Sequence, residues 1–284
     1  MLANTIDTAI MKELRMKWAK PKIEYIGDIA IIKPPFFNKI NIDHIKSLAN
    51  EVIEKQKSIK SVWLATSPVK GKEKTRDFIH IAGEKRSHTI YKEHGCLFKV
   101  DIRNVFITPR LNFEHLRVAH MVRENETIIN MFAGVGLFSI IIAKKSKPFL
   151  VHSIDINPHA YKLMKENIAL NKVEGVVIPY LGDAGDIIKE ILQNSADRVL
   201  MPLPEIALEY LSYAILSIRK KGFIHIYLHV NSKKYQDPIE VARELLANKL
   251  NEFKISYEIR GSRIVRSVGP RLYQVVLDVF TKKH

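Results

Sequence analysis

The 284-residue chain contains a single cysteine, Cys96. One thiol excludes an internal disulfide and any multi-cysteine zinc or iron–sulfur centre, and no metal site is expected. No uninterrupted apolar run approaches the about 18 residues that a membrane-spanning helix requires. The N-terminus carries Asp7 and Glu13 and lacks a signal-like apolar core, so neither secretion nor membrane attachment is expected. The expected location is the cytoplasm. Repeats and low-complexity tracts are absent. Acidic residues are scarce: 30 Asp and Glu stand against 45 Lys and Arg, a formal charge of +15. Such an excess points to a polyanionic partner, with nucleic acid the leading class. Hydrophobic residues at 46% suffice for at least one full core.

The patterning divides the chain into a small α+β domain, residues 1–108, and a larger α/β domain, residues 109–284. Apolar spacing predicts a helix over 4–18 (Ile6, Ile10, Leu14, Trp18) and a strand through 23–33, stopped by Pro34 and Pro35. A second helix is predicted over 41–57, capped by Asn41, with Ile42, Ile45, Leu48 and Val52 facing inward. SVWLAT, FIHIAG, HTIYKE, CLFKVD and NVFIT then read as short antiparallel strands. A linking helix over 112–122 leads into alternating strands and helices as far as a helix at 236–249. Strands at 255–259 and 274–280 close the chain. That alternation predicts a Rossmann-like, mostly parallel, doubly wound sheet with an antiparallel edge hairpin.

The segment NMFAGVGLFS, Asn130 to Ser139, follows the strand TIIN and precedes an apolar helix. Gly134 and Gly136 allow the backbone, with Phe132 in the same loop, to approach a ligand closely at the free N–H groups of a helix start. The spacing is not the G-x-G-x-x-G of a dinucleotide fold. The next strand ends in Asp155, suited to two ribose hydroxyls, and the one after it in Gly182-Asp183-Ala184, suited to an adenine amine. Each carboxylate alone could be an ordinary strand-end cap. Three such positions in order predict a bed for S-adenosylmethionine. Asn157 could either contact the cofactor or cap the helix begun by Pro158, which Asn171 can close. The fourth strand ends in MPLPE. Pro202 offers no side-chain acceptor, which disfavours methylation of an exocyclic amine and leaves a ring nitrogen, a carbon or another group transfer.

A ring N–H must lose its proton before it can attack, which needs a nearby carboxylate and a cation to meet the charge on the adjacent carbonyl. Glu114 follows Arg110 by four residues, so a helix from 110 would place both on one face, as a substrate wall or as a surface ion pair. His115 is either a cofactor contact or a core or solvated histidine. Lys70–Arg76 (KGKEKTR), Lys85-Arg86 and the arginines 260, 263, 266 and 271 are either solvated faces or a surface that tracks phosphates.

The chain resembles archaeal tRNA (guanine-37-N1)-methyltransferases. The resemblance rests on GDIAII from Gly27, SPVKG from Ser67, FITPRL from Phe106, EHLR from Glu114, the 130–139 loop, DINPHA from Asp155, NIALN from Asn167, RVLMPLP from Arg198 and VRSVGP from Val265. It implies Glu114 as general base and Arg110 at the guanine O6, with Arg86 or Arg76 also near the base. It implies cofactor contacts from His115, Asp155, Ile156, Asp183 and Ala184 and from the position of Pro202. The implied partner is the anticodon arm of tRNA at guanosine 37, with no obligate protein partner. Members often carry Asp at 130, Arg at 115 and Asn at 202, where this chain has Asn130, His115 and Pro202. Fuller members bear a further N-terminal domain, and this chain is expected to begin at or just before the second. Two alternatives remain: the related wybutosine-pathway aminocarboxypropyltransferase, or a methyltransferase of wyosine intermediates. The Pro109-Arg110 and Leu203-Pro204 pairs favour methyl transfer over the former. A non-catalytic RNA-binding protein is disfavoured by the intact glycine loop.

Overall fold

The structure is a computed structural model that describes residues 21–35 and 40–284. The helix expected over 4–18 lies outside the described residues. The chain forms two compact units. One holds the residues up to Tyr91 together with Val100–Phe106, and the other holds Lys92–Lys99 and Ile107–His284.

In the smaller unit the segment read as one strand is a hairpin. Strand β1, Lys22–Ile26, pairs antiparallel with β2, Ile29–Lys33, in the register Ile26↔Ile29. Gly27 at φ 56° makes the tight reversal that alternation alone did not show. Helix α1, Ile42–Lys55, starts where expected, with the Asn41 carboxamide accepting from the Asp43 and His44 amides at 3.1 Å. Its buried stripe is Ile45, Ala49 and Val52, while Ile42, expected inside, is exposed. Because α1 crosses over the sheet, β2 and β3 (Ser61–Ala65) pair parallel rather than antiparallel. Strand β4, Phe78–Gly83, returns antiparallel. Ile45 and Val52 pack on Ala30, Ile32, Val62 and Leu64, and burial of each of the two side chains stabilises the unit by about 1.5–3 kcal/mol.

Strands β5, His88–Glu93, and β6, Cys96–Asp101, form a two-stranded sheet. The strand expected at NVFIT is absent. Asp101 accepts from the Arg103 amide at 3.1 Å and the Asn104 side chain at 2.7 Å, which turns the chain there.

The larger unit carries a seven-stranded sheet in the order β12-β13-β11-β10-β7-β8-β9. Strands β7 (Thr127–Asn130), β8 (Leu150–Asp155), β9 (Val177–Leu181), β10 (Ala196–Met201) and β11 (Ile218–Asn231) are parallel. The chain order reverses between β7 and β10, and the crevice at such a reversal is where doubly wound folds bind ligands. The intervening helices are α2 (Asn112–Met121), α3 (Leu137–Lys145), α4 (Pro158–Leu170), α5 (Ala184–Glu190), α6 (Leu211–Ser217) and α7 (Pro238–Leu250). Helix α3 buries Leu137 through Ile142 without a break, consistent with a sequence that is apolar on every face. Residues 204–209 form turns after β10, and helix α6 begins only at Leu211.

The closing strands run further than their patterning indicated. Strand β12 spans Ile255–Gly269 and β13 spans Leu272–Lys283, paired antiparallel with bulges at Ile259/Gly261, Ile264/Arg266 and Ser267/Gly269. The arginine tract that masked strand character lies on this half-exposed edge. No helix among the described residues is long and apolar enough to cross a membrane.

Candidate active site

The loop between β7 and α3 is tied to both neighbouring strands. The Met131 amide donates to the Leu200 carbonyl at 3.0 Å and the Ala133 amide to Ile154 at 2.8 Å. Gly134 and Gly136 adopt φ 57° and 95°. A Cβ on Gly136 would stand 3.1 Å from Ile140 and 3.2 Å from Met164, so both backbone and space require glycine. Beneath the loop the fully buried Asn130 donates to the Ser139 hydroxyl at 3.2 Å, and Ser153 donates to the same oxygen at 2.7 Å. The Asn130 side-chain carbonyl oxygen is buried with no hydrogen-bond partner among the described residues.

Asp155 serves the loop itself. One carboxylate oxygen accepts from the Gly134 amide at 2.6 Å and the other from Asn157 at 2.9 Å. Asn157 is the α4 cap, accepting from His159 at 2.9 Å. Asp183 caps α5, accepting from Gly185 at 2.8 Å, and also receives the Tyr210 hydroxyl. Burial, and then that bond to Asp183, push the Tyr210 phenol upward, so it remains a donor. The capping reading therefore holds for Asp183, while Asp155 binds amides of the loop and of its own strand end. Each carboxylate oxygen has a second lone pair, so capping leaves acceptor capacity for hydroxyl or amine donors. Phe132 meets Tyr210 edge-on at 5.4 Å. Ile156 and Leu181, at the ends of β8 and β9, are large apolar side chains left exposed, whereas Ala184 is buried. A glycine cradle, two carboxylates and exposed apolar residues at the switch point fit an adenosyl group with its ribose.

The second half of the site is a chain of alternating charges. Glu114 is not a surface ion pair: it is 1% exposed. The helix through it begins only at Asn112. Arg110, exposed, lies in a preceding 3₁₀ turn, Pro109–Leu111, whose Thr108 cap accepts the Arg110 amide at 3.4 Å. Glu114 Oε2 accepts from Arg117 Nε at 3.0 Å and from the Tyr227 hydroxyl at 3.0 Å. Arg117 grips Asp278 through both carboxylate oxygens, at 2.6 and 3.1 Å. Asp278 meets His225 Nδ1 at 2.5 Å, and His225 Nε2 meets Arg198 Nη1 at 2.6 Å. Because a guanidinium can only donate, His225 accepts at Nε2 and carries its proton on Nδ1. Arg198, 1% exposed, then pairs with Glu126 at 2.7 and 3.0 Å.

Burial drives His225 toward its neutral form, against the pull of Asp278. Burial alone would raise the Asp278 carboxyl, but the His225 hydrogen bond and the Arg117 charge outweigh it and hold the group far down. Burial, and then the Glu114 charge, keep the Tyr227 phenol protonated. Tyr227 follows Ile226, which is in register with Met201. Its hydroxyl thus ties Glu114 to β11. At the bulge in β12 a Cβ on Gly261 would stand 2.7 Å from the Asp278 carboxylate, which Arg117 and His225 hold in place, so glycine suits that position.

His115 is a core histidine, 2.5 Å from Glu93 Oε1 and edge-on to Phe138 at 4.4 Å. Asn167 and Asn171 pair with the backbone of β6 like a missing strand: Asn167 with Lys99 at 2.7 and 3.1 Å, Asn171 with Leu97 at 2.9 and 2.6 Å. In the smaller unit, Arg86 is held by Asp28, by Glu84 at 2.6 Å and by the His88 carbonyl at 2.8 Å. Lys70 pairs with Asp77 at 2.6 Å on an exposed turn. Three of the C-terminal arginines are also engaged: Arg260 lies over Phe280 at 4.2 Å, Arg263 over Phe113 at 4.2 Å, and Arg266 donates to Gln274 at 2.7 Å. Arg117, Tyr227, Asp278, His225 and Arg198 were missed in the sequence. The signal for the last four was polar side chains within otherwise apolar strands: GFIHIYLHV, VVLDVF and ADRVLM.

The TRM5/TYW2 methyltransferase domain matches residues 89–255. The tRNA 4-demethylwyosine(37)-methyltransferase Taw21 of Saccharolobus solfataricus is 42% identical over 258 residues, 91% of this chain and 93% of its own. The tRNA (guanine(37)-N(1))-methyltransferase Trm5b of Pyrococcus abyssi is 40% identical over 95% of this chain and 77% of its own. The crystal structure of that enzyme superposes with a TM-score of 0.81 at 39% identity, covering 95% of this chain and 78% of that one. A complex of aTrm5 with tRNALeu also gives 0.81, at 32% identity over 99% of this chain and 77% of that one. The glycine cradle, the strand-end carboxylates and these matches together place the chain in the TRM5/TYW2 methyltransferase family, with S-adenosylmethionine as its cofactor.

Proposed function

We propose that the protein methylates N1 of guanosine 37 in the anticodon loop of tRNA. The observation that carries this reading is the state of Glu114. Its Oε2 is fixed by Arg117 and Tyr227, while its Oε1 is buried with no hydrogen-bond partner among the described residues. This buried oxygen has an ion-pair neighbour, Arg263 at 3.0 Å, but no aligned hydrogen bond, so it keeps acceptor capacity, and N1–H of guanine is a donor suited to it.

When bound, the cofactor supplies an electrophilic methyl group on a positively charged sulfur. Asp155 and Asp183 hold the ribose and adenine ends, and the Gly134–Gly136 turn lets the backbone approach. Glu114 Oε1 takes the proton from N1. Arg110, in the turn before α2, meets the negative charge that then spreads to O6. Pro202 shapes the mouth without supplying an acceptor, which leaves the exocyclic amine unassisted. The net charge of +15 suits an RNA partner, and Lys70–Arg76 and Arg86 of the smaller unit would contact its phosphates or bases.

A specific observation favours a second substrate. The match to the 4-demethylwyosine methyltransferase covers nearly all of both chains, at the higher identity of the two curated relatives. One experiment addresses both. Unmodified tRNA and tRNA bearing 4-demethylwyosine are incubated with methyl-labelled cofactor, and the nucleosides are identified by mass. Labelled 1-methylguanosine is the expected product. Label only in the tricyclic base would transfer the assignment to the second substrate, and an aminocarboxypropyl adduct would overturn methyl transfer.

A further inference from the structure

Oε1 of Glu114 faces a guanidinium. Arg263 Nη1 lies 3.0 Å away, yet it is not aligned to donate a hydrogen bond, and Oε1 stays unsatisfied. The Arg263 side chain is 36% exposed, and its guanidinium lies over the ring of Phe113 at 4.2 Å. Phe113 is 61% exposed, a large aromatic left at the surface one residue before the buried carboxylate. Bulges at Ile259/Gly261 and Ile264/Arg266 flank Arg263 on β12, and bulges re-aim side chains. Arg260 and Arg266 turn to Phe280 and Gln274, so of these three arginines Arg263 is the one brought to Glu114.

We propose that Arg263 is a further catalytic residue, donating to the carbonyl oxygen beside the nitrogen that Glu114 deprotonates. This rests on the reading of Glu114 given above. The geometry is that of a guanine edge in negative. N1–H and O6 are adjacent on that edge, a donor beside an acceptor. Glu114 Oε1 and Arg263 Nη1 are adjacent in the protein, an acceptor beside a donor. The imperfect pair in the free enzyme is replaced by two well-aligned hydrogen bonds when the base enters. As the N1–H bond breaks, its proton passes to Oε1 and the electron pair spreads over N1, C6 and O6, where Arg263 meets it. N1 then bonds to the methyl carbon as the carbon–sulfur bond breaks, with that pair leaving on sulfur. Phe113 keeps the guanidinium flat and in place, complementing Arg110 rather than replacing it.

The test is single-turnover methylation by the full chain of tRNA with guanosine or 6-thioguanosine at position 37. The thio base has a more acidic N1–H and needs less help from a donor at position 6. Arg263→Ala is expected to lose about 10²–10³-fold in rate on guanosine, with tRNA KM changed no more than about threefold. On 6-thioguanosine the defect should shrink at least tenfold. Arg263→Lys, which keeps the charge but not the planar fork, should fall between. Unchanged cofactor affinity and Tm show that the variants are folded. A rate within about threefold of the parent on guanosine would overturn the proposal. So would an equal defect on both bases, or a defect confined to KM and relieved by low salt, which would make Arg263 a phosphate contact. Failure of the parent itself to form 1-methylguanosine would instead overturn the underlying function, and Arg263's part with it.

Discussion

Two parts of the larger unit stabilise charge by different means. The loop at 130–139 works through its backbone: amides tied to β8 and β10, two glycines at positive φ, and aspartates whose carboxylates hold backbone amides. Beneath Glu114 the means are side chains. Arg117, Asp278, His225, Arg198 and Glu126 come from α2, β13, β11, β10 and the approach to β7, and form a continuous chain. The first arrangement rests on backbone conformation at a few positions. The second is non-local and buried, so each member is indispensable to the next. Removing one partner of a buried ion pair is costly even where the intact pair adds little net stability.

The largest expected effect comes from breaking that chain. Glu126→Ala strands the buried Arg198 and should cost about 3–5 kcal/mol in denaturant unfolding. A change below about 1 kcal/mol would mean that the pair is not needed there.

Acid should loosen the same chain next. His225 is held neutral, its folded value below the unfolded one of about 6.5. The unfolded chain therefore binds the extra proton first. Stability is fully present above about pH 6.5 and falls below it, by at most about 1.4 kcal/mol per pH unit. Asp278, also depressed when folded, adds its loss only in strong acid. His225→Asn should flatten the slope of Tm against pH between about 6.5 and 5, and an unchanged slope would assign it elsewhere.

The loop answers to backbone chemistry instead. Gly136→Ala forces an alanine to φ 95° and against Met164. It should cost about 1–2 kcal/mol and weaken cofactor binding measured by calorimetry. Full affinity would show that the turn relaxes freely. The smallest effect is expected in the other unit. Replacing Lys70, Lys72 and Lys74 should weaken tRNA binding modestly. The slope of log affinity against log salt should fall by about 0.7–0.9 for each phosphate that the variant no longer neutralises. An identical slope would remove this turn from the interface.

The two regions also differ in how far they could be read from residues. The loop and the caps at Asn41 and Asn157 are set by residues close to each in sequence, and Asp155 and Asp183 each follow an apolar strand, so local spacing revealed them. Glu114 and Arg110 were found together, but the helix was read through Leu111. A 3₁₀ turn separates them, and the partners that fix Glu114 are Arg117, at i+3, and Tyr227, from a distant strand. Periodicity registers Tyr227 and Asp278 only as positions in apolar strands. Which charge meets which depends on strand order. The hairpin at Gly27 and the length of β12 were missed for a related reason: pairing partners, not local alternation, decide where a strand bends or ends.

The central claim is that Glu114 removes the N1 proton. Its most direct test is single-turnover methylation of guanosine 37 by Glu114→Gln, a variant that keeps the shape and loses the base. Cofactor affinity should be unchanged, because the bed at 130–139 is untouched, while the rate should fall by about 10²–10⁴-fold. A rate near that of the parent would contradict the account.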